Sequence, residues 1–105
     1  MPEEYIQKDG YQLHTMWNDM DFGGSALVGT IDATVEEITK YLGEPMIING
    51  RMDIRWLMKF DNGVVATIFR YRGETELRVG GFREISAEKV KEWLVSQRQA
   101  YANAR

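Results

Sequence analysis

The feature that most constrains the fold is a pair of strand-like segments separated by Asn62-Gly63. Residues 53–60 alternate apolar and polar side chains, and residues 64–71 are rich in β-branched and aromatic types. Asn-Gly is the dipeptide that two-residue hairpin loops prefer. The pattern therefore predicts an antiparallel hairpin in which Asp61 faces Val64, and this pairing sets the register of both strands.

In that register Trp56 lies opposite Phe69, and the aromatic side chains of both strands point to one face of the sheet. We expect this face to form the core, because the burial of large apolar side chains is the main favourable contribution to folding. The other face is then expected to carry Arg55, Leu57, Lys59, Ala66, Ile68 and Arg70.

Two segments predict helices on either side of the hairpin. Residues 34–42 begin at Thr34, whose hydroxyl can cap a helix, and Glu37 follows at the spacing of a capping box. The apolar residues of this segment recur on one helical face. A second helix is predicted over residues 87–101, with Ser86 as its cap.

A third strand is predicted over residues 75–79. A three-residue loop, Arg72-Gly73-Glu74, would place Leu77 beside Phe69 on the core face. A two-residue loop would instead put Glu76 on that face, which costs the desolvation of a carboxylate. We therefore expect the longer loop and a meander of three strands.

Together these elements predict an α+β fold in the order (β)αβββα, a three- to four-stranded antiparallel β-meander with two helices packed on one face. The length of 105 residues fits a single domain. Residues 1–24 are expected to form an irregular N-terminal arm, with a short edge strand as the alternative for residues 11–17. The aromatics Tyr11, Trp17 and Phe22 of this arm are expected to cover the core, and an exposed interaction hot spot is the alternative. Residues 25–101 are expected to form one α+β domain, and residues 102–105 a frayed C-terminus.

The composition excludes several classes of site and location. The chain has no cysteine, which excludes disulfides, thiolate catalysis and zinc sites built on thiolates. Its net charge is −3, whereas nucleic-acid-binding proteins usually carry a basic excess, so we expect no direct contact with nucleic acid. No apolar run is long enough to span a membrane, and the N-terminal residues do not resemble a signal peptide. We expect the protein in the cytoplasm.

No motif indicates catalysis or cofactor binding. Counted from Asp19, the twelfth position of a calcium-binding loop is Thr30, where that motif requires a glutamate. His14 is the single histidine, and the glycine pairs do not match the dinucleotide-binding fingerprint. We expect no metal, no cofactor and no enzymatic activity. Acid–base catalysis by Asp19, Asp21 and Glu44 is the weakest alternative.

A group of cations near the hairpin is the most informative surface feature. In the predicted register Arg55 lies directly opposite Arg70, and like charges in that position destabilise a sheet. One interpretation is internal neutralisation, with Glu76 beside Arg70 and Asp53 opposite Arg72. The other is contact with an anionic ligand or with an acidic partner surface. The predicted contact surface comprises Arg55, Leu57, Lys59, Ile68, Arg70, Arg72 and Arg78.

Five short motifs lie in series between roughly residues 30 and 95. They are the helix from Thr34-Val-Glu-Glu-Ile38 to Leu42-Gly-Glu-Pro45, the strand Asp53-Ile-Arg-Trp56, the turn Phe60-Asp-Asn-Gly63, the strand Thr67-Ile-Phe-Arg-Tyr71 and the ending Val79-Gly-Gly81. This series resembles a group of small bacteriophage proteins of unassigned function. The resemblance implies a phage or prophage origin, and it supplies no catalytic residues.

Two functional hypotheses follow. The first is a phage-type interaction protein that binds and inhibits a host protein or protein complex in the bacterial cytoplasm, as an anti-defence inhibitor of the anti-CRISPR kind does. The second is a binding module that sequesters or senses a nucleotide-like anion on the basic sheet face. A homo-oligomer is compatible with both hypotheses.

Overall fold

The computed structural model describes residues 4–17 and 19–104, which form an antiparallel sheet with two long helices packed against one face. The strands are β1 (Tyr5–Gln7), β2 (Tyr11–His14), β3 (Ala26–Ile31), β4 (Met46–Ile47), β5 (Met52–Phe60), β6 (Val65–Tyr71) and β7 (Leu77–Gly81). The helices are the single turn α1 (Asp19–Phe22), α2 (Val35–Leu42) and α3 (Ile85–Asn103).

The strands follow the order β1-β2-β5-β6-β7-β3 across the sheet, and β4 also pairs with β5. The predicted α+β class, the antiparallel meander of β5, β6 and β7, and the packing of two helices on one face are confirmed. The sheet has seven strands rather than three or four, because β1, β2, β3 and β4 extend the meander on both sides.

The N-terminal segment, residues 1–24, differs from the irregular arm that we expected. Its described part contributes the β1–β2 hairpin to the sheet, and β2 pairs along β5. Tyr11 and Leu13 point into the core and are buried there. Their period-two pattern covers only two core residues, too few to identify a strand from the sequence. This segment therefore shares its sheet with residues 25–101.

The hairpin of β5 and β6 is shifted by one residue from the predicted register. Its loop has three residues, since the N–H of Phe60 donates to the carbonyl of Val64 at 2.8 Å and that of Gly63 to the carbonyl of Phe60 at 2.9 Å. Gly63 has a φ of +88°, and no described residue other than glycine has a positive φ. This is the pattern of a type I turn followed by a left-handed glycine, whereas the predicted two-residue turn needs a positive φ at Asn62 as well.

The shift changes the partners and the faces of the side chains on β6. Trp56 lies opposite Ile68 rather than Phe69, and Phe69 instead lies opposite Arg55 on the other sheet face. The next hairpin is shifted too, because Phe69 lies opposite Arg78 rather than beside the predicted leucine. A slip of one residue exchanges the two faces of a strand, so every predicted position on β6 is affected.

Both faces of the sheet are covered. On the face opposite the long helices, Phe22 of α1 packs against Leu57 and Val65 in a small cluster. The main core lies between the other face and the helices α2 and α3. Its sheet residues include Tyr11, Leu13, Ile31, Ile54, Trp56, Met58, Phe60, Ala66, Ile68, Leu77 and Val79, and its helix residues are Ile38, Leu42, Ala87, Val90, Trp93 and Leu94.

The helix ends follow the local sequence only in part. Thr34 caps α2 as predicted, since its hydroxyl oxygen accepts a hydrogen bond from the N–H of Glu37 at 3.1 Å. Ser86 does not cap α3, because it lies inside the first turn and its buried hydroxyl donates to the carbonyl of Val65 at 2.6 Å. The helix continues to Asn103, into the tail predicted to fray. Among the described helices, none is long and apolar enough to cross a membrane.

Candidate functional site

The five cations predicted to share one basic face are separated in the structure. Lys59 Nζ lies 3.0 Å from Asp21 Oδ1. Arg70 lies on the opposite sheet face and donates through Nε and Nη2 to Asp53, at 3.1 and 2.9 Å. This hydrogen bonding lowers the pKa of Asp53 and raises the pKa of Arg70. Both cations are therefore neutralised within the protein.

The next two cations are also satisfied internally. Arg72 donates to two backbone carbonyls in the loop before β5, at 3.1 and 3.0 Å. Arg78 Nη2 lies 3.1 Å from Glu74 and 3.6 Å from Glu76. Acids within the chain thus neutralise three of the five cations, and backbone carbonyls bind a fourth, Arg72. The one-residue shift gives Arg70 the acid Asp53 instead of the predicted Glu76, and it leaves Arg72 without the predicted Asp53.

The two apolar members of the predicted contact surface are buried and lie on opposite faces of the sheet. Leu57 packs beneath Phe22 in the small cluster, and Ile68 lies in the main core. Neither side chain is accessible to a partner. The seven predicted residues therefore do not form one surface, because the register that would bring them together is not the observed one.

Arg72 and Arg55 have no acidic partner among the described residues, and of the two only Arg55 also lacks a hydrogen bond there. Its guanidinium carbon lies 4.6 Å from the centroid of the Trp17 ring. Its Nε is buried and has no hydrogen-bond acceptor in the described part of the chain. Burial lowers the pKa of Arg55, but a guanidinium stays charged at physiological pH. The fold thus holds a half-buried positive charge against an indole ring.

Arg55 lies beside an interruption in the pairing of β5, which we call the β5 notch. Strand β2 pairs with β5 from Leu57 onwards and β4 pairs with it up to Arg55, so Trp56 lies outside both ladders. Pro45, just before β4, has no N–H with which to extend the pairing. The notch has a volume of about 180 Å³ and is lined by Leu13, His14, Thr15, Glu44, Pro45, Met46, Arg55 and Trp56.

His14 is a second polar residue of the notch with an unpaired buried atom. The side chain is 5% exposed, and its ring lies 5.3 Å from the rings of both Tyr5 and Phe22. Nε2 is 3.0 Å from Gln12 Oε1 and therefore carries the donor hydrogen, while the buried Nδ1 has no partner among the residues that the structure describes. Burial lowers the pKa of His14, so the ring is neutral at neutral pH. His14 was noted in the sequence only as the single histidine, because a lone histidine has no spacing pattern that would indicate its surroundings.

Two apolar side chains are exposed where the chain leaves β2 beside the notch. Met16 and Trp17 follow β2 and are 58% and 39% exposed. Ile47 in β4 is 79% exposed, but it pairs with Ile54 and so lies on the sheet face that carries the main core, whereas Arg55 lies on the other face. We call Met16, Trp17 and Arg55 the notch surface. Phe22 is fully buried, as expected of an aromatic residue that covers the core, whereas Trp17 remains partly accessible.

The carboxylates considered for acid–base catalysis have different surroundings. Asp21 pairs with Lys59, and Glu44 lines the β5 notch. The side chain of Asp19 lies outside the described part of the structure. Within that part, no group of three or more histidine, cysteine, aspartate and glutamate side chains could hold a metal ion.

A larger open groove of about 600 Å³ lies where β3 leads into α2. The cation that lines it is Arg70, which Asp53 already neutralises. Its lining also includes three acidic residues, Asp32, Glu36 and Glu76. An anion in this groove would meet net negative charge. The groove is therefore a poorer anion site than the β5 notch, although its volume is greater.

Comparison of the chain with protein-family models, with curated proteins and with solved structures finds no match. The resemblance to small bacteriophage proteins therefore stays a prediction.

Proposed function

We propose that this chain is a protein-binding domain without catalytic activity, and that a partner protein docks on the notch surface. The observation that carries the proposal is the contact between the exposed Trp17 ring, which follows the exposed Met16, and a guanidinium that has no acidic partner among the described residues. Single exposed apolar residues are normal on soluble proteins, whereas a group of them beside an arginine is typical of an interaction site.

The residue types of the notch surface support a protein partner. Trp17, Arg55 and Met16 belong to residue types that are enriched in protein interfaces, and tryptophan and arginine are frequent hot spots. A partner that covers these side chains would gain hydrophobic energy and would remove water from the guanidinium at the same time.

The rigidity of the notch also supports binding. Strands β2 and β4 are both held by β5, and the indole N–H of Trp56 donates to the carbonyl of Gly43 at 2.9 Å, which ties the end of α2 to the notch. Arg55 is oriented by its contact with Trp17. Side chains that are already ordered lose less conformational entropy when a partner binds.

The alternative, a module for a nucleotide-like anion, has less support. It was predicted from five cations on one sheet face, and four of these have internal partners. The β5 notch, at about 180 Å³, is also smaller than the roughly 300–1,000 Å³ of typical sites for drug-sized ligands. Inhibition of a host defence protein and a cytoplasmic location stay predictions.

Selection of peptides from an unbiased display library on the purified chain tests the proposal. We expect binding peptides whose affinity falls by about tenfold or more, about 1.4 kcal/mol, when Arg55 or Trp17 is replaced by alanine. Arg83→Ala and Phe82→Ala are matched controls, because both residues are exposed and neither lines the notch. Failure to select any peptide, or equal losses in the control variants, would contradict a docking site at the notch.

A further inference from the structure

The half-buried charge of Arg55 has a cost in hydration free energy that no ion pair with a described residue offsets. A half-buried guanidinium has lost part of its hydration, and among the described residues no carboxylate compensates for that loss. Lys59, Arg70 and Arg78 show that the chain supplies acids to neighbouring cations. An acid provided from outside the chain would satisfy Arg55 in the same way.

The contact with Trp17 does not use the hydrogen-bond donors of Arg55. The guanidinium is planar and its N–H groups lie in that plane, while its carbon lies 4.6 Å from the centroid of the Trp17 ring. A cation–π contact is an electrostatic attraction to the ring and needs no N–H donor. An acceptor with two oxygens in one plane, such as a carboxylate, matches the planar fork of the guanidinium.

The other polar groups of the notch do not add positive charge. The Thr15 hydroxyl already donates to the carbonyl of Glu4 at 3.0 Å. His14 donates through Nε2 to Gln12, so its free Nδ1 is an acceptor. The anion must therefore be one that a single guanidinium can neutralise.

This balance of charge favours a carboxylate over a phosphate. Glu44 also lines the notch, and its negative charge would repel a dianionic phosphate more strongly than a singly charged carboxylate. The notch volume of about 180 Å³ corresponds to about six water molecules at ~30 Å³ each, which is room for the end of one side chain.

We infer that the β5 notch receives a glutamate or aspartate side chain of the partner protein, whose carboxylate binds the guanidinium of Arg55. The inference rests on the proposed function, since it names the chemistry of the group that docks at the notch surface. The exposed apolar side chains beside the notch favour an acid that belongs to a protein rather than a free small anion.

The test is a double-mutant cycle with the selected peptides. Each acidic residue of a peptide is replaced in turn by its amide, and binding is measured to the wild type, to Arg55→Ala and to Arg83→Ala. We expect one position at which the amide weakens binding to the wild type and to Arg83→Ala by about tenfold or more, and has no further effect on Arg55→Ala. Arg55→Lys, which keeps the charge but loses the planar fork, is expected to give an intermediate loss.

Two further measurements complete the test. Inorganic phosphate at constant ionic strength is expected not to displace the peptides, and selective displacement would overturn the assignment to a carboxylate. The urea midpoint of Arg55→Ala is expected to be no lower than that of the wild type, because the variant removes an uncompensated charge. A clear fall would make Arg55 a structural residue instead.

The outcomes separate this inference from the proposed function. Peptides that still require Trp17 but contain no acid coupled to Arg55 would refute the carboxylate site and leave the docking surface intact. Peptides insensitive to both Trp17→Ala and Arg55→Ala would refute the two together.

Discussion

Arg98 joins the two long helices through a bidentate ion pair with Glu37. Its Nε and Nη2 donate to the two carboxylate oxygens at 2.7 and 2.8 Å, and the hydroxyl of Tyr41 donates to the same carboxylate at 2.7 Å. The hydrogen bond from Arg98, followed by that from Tyr41, lowers the pKa of Glu37 to about 2. The residues of the pair are 61 positions apart, so the periodicity of neither helix could predict it.

Replacing Glu37 with glutamine is expected to lower the free energy of unfolding at neutral pH by about 1 kcal/mol, as for a partly exposed ion pair. In the wild type this contribution is present above the ordinary pKa of 4.5 and is lost as the pH falls towards about 2, because protonation removes the charge that Arg98 binds. Urea denaturation across this range should therefore give a flatter pH profile for Glu37→Gln.

The neighbouring Glu36→Gln is the matched control, since it removes an exposed acid from the same helical turn. It is expected to keep the wild-type slope. Identical profiles for the two variants would contradict the assignment of the acid-sensitive stability to the ion pair between Glu37 and Arg98.

At the scale of the element, the register of β5 and β6 was predicted wrongly because both faces of these strands are buried. Trp56, Leu57 and Met58 are consecutive in β5 and are all buried, as are residues 65–69 of β6. Such strands lack the alternation that identifies the core face. Asn-Gly is compatible with both two- and three-residue loops, so the turn sequence could not decide the register either.

Two single-residue deletions distinguish the observed register from the predicted one. Deletion of Asp61 leaves Phe60 opposite Val64 across a two-residue Asn-Gly turn, so we expect a change of about 1 kcal/mol or less in the free energy of unfolding. Deletion of Lys59 moves the preceding part of β5 to the opposite face, and we expect loss of cooperative unfolding.

Circular dichroism and urea denaturation of both deletion variants provide the measurement. If Asp61 instead faced Val64, its deletion would be as damaging as that of Lys59.

The features that could be predicted from the sequence are those with local causes. The Thr34 cap and the hairpin strands depend on neighbouring residues and were found. Arg55 belonged to the predicted group of cations, but it was expected opposite Arg70 and instead lies opposite Phe69 and against the ring of Trp17. The notch could not be predicted, because its sides come from strands of four and two residues, too short to show a period.

At the scale of the whole molecule, the N-terminal hairpin completes the core beside β5. Tyr11 is 4% exposed, and its ring lies 6.0 Å from that of Trp93 in α3. Removal of residues 1–15 is expected to lower the free energy of unfolding by at least about 3 kcal/mol, since the buried side chains of Tyr11 and Leu13 contribute about 1.5–3 kcal/mol each. It also exposes the edge of β5, which favours aggregation.

Urea denaturation monitored by tryptophan fluorescence, together with light scattering, measures both effects. Ile6→Ala is the control, because this side chain of β1 is exposed and its loss should leave the urea midpoint nearly unchanged. A truncated chain as stable as the wild type would mean that the hairpin lies outside the cooperative folding unit.

The strand order also determines when the chain can acquire this fold during synthesis on the ribosome. Strand β2 pairs with β5, and β3 pairs with β7. Neither early strand can therefore form these pairs until a segment that is translated much later has been synthesised. Until Gly81 has left the exit tunnel, β3 lacks the neighbour that holds it in the sheet. The nascent polypeptide therefore reaches its native state in one late step rather than growing into it from the N-terminus.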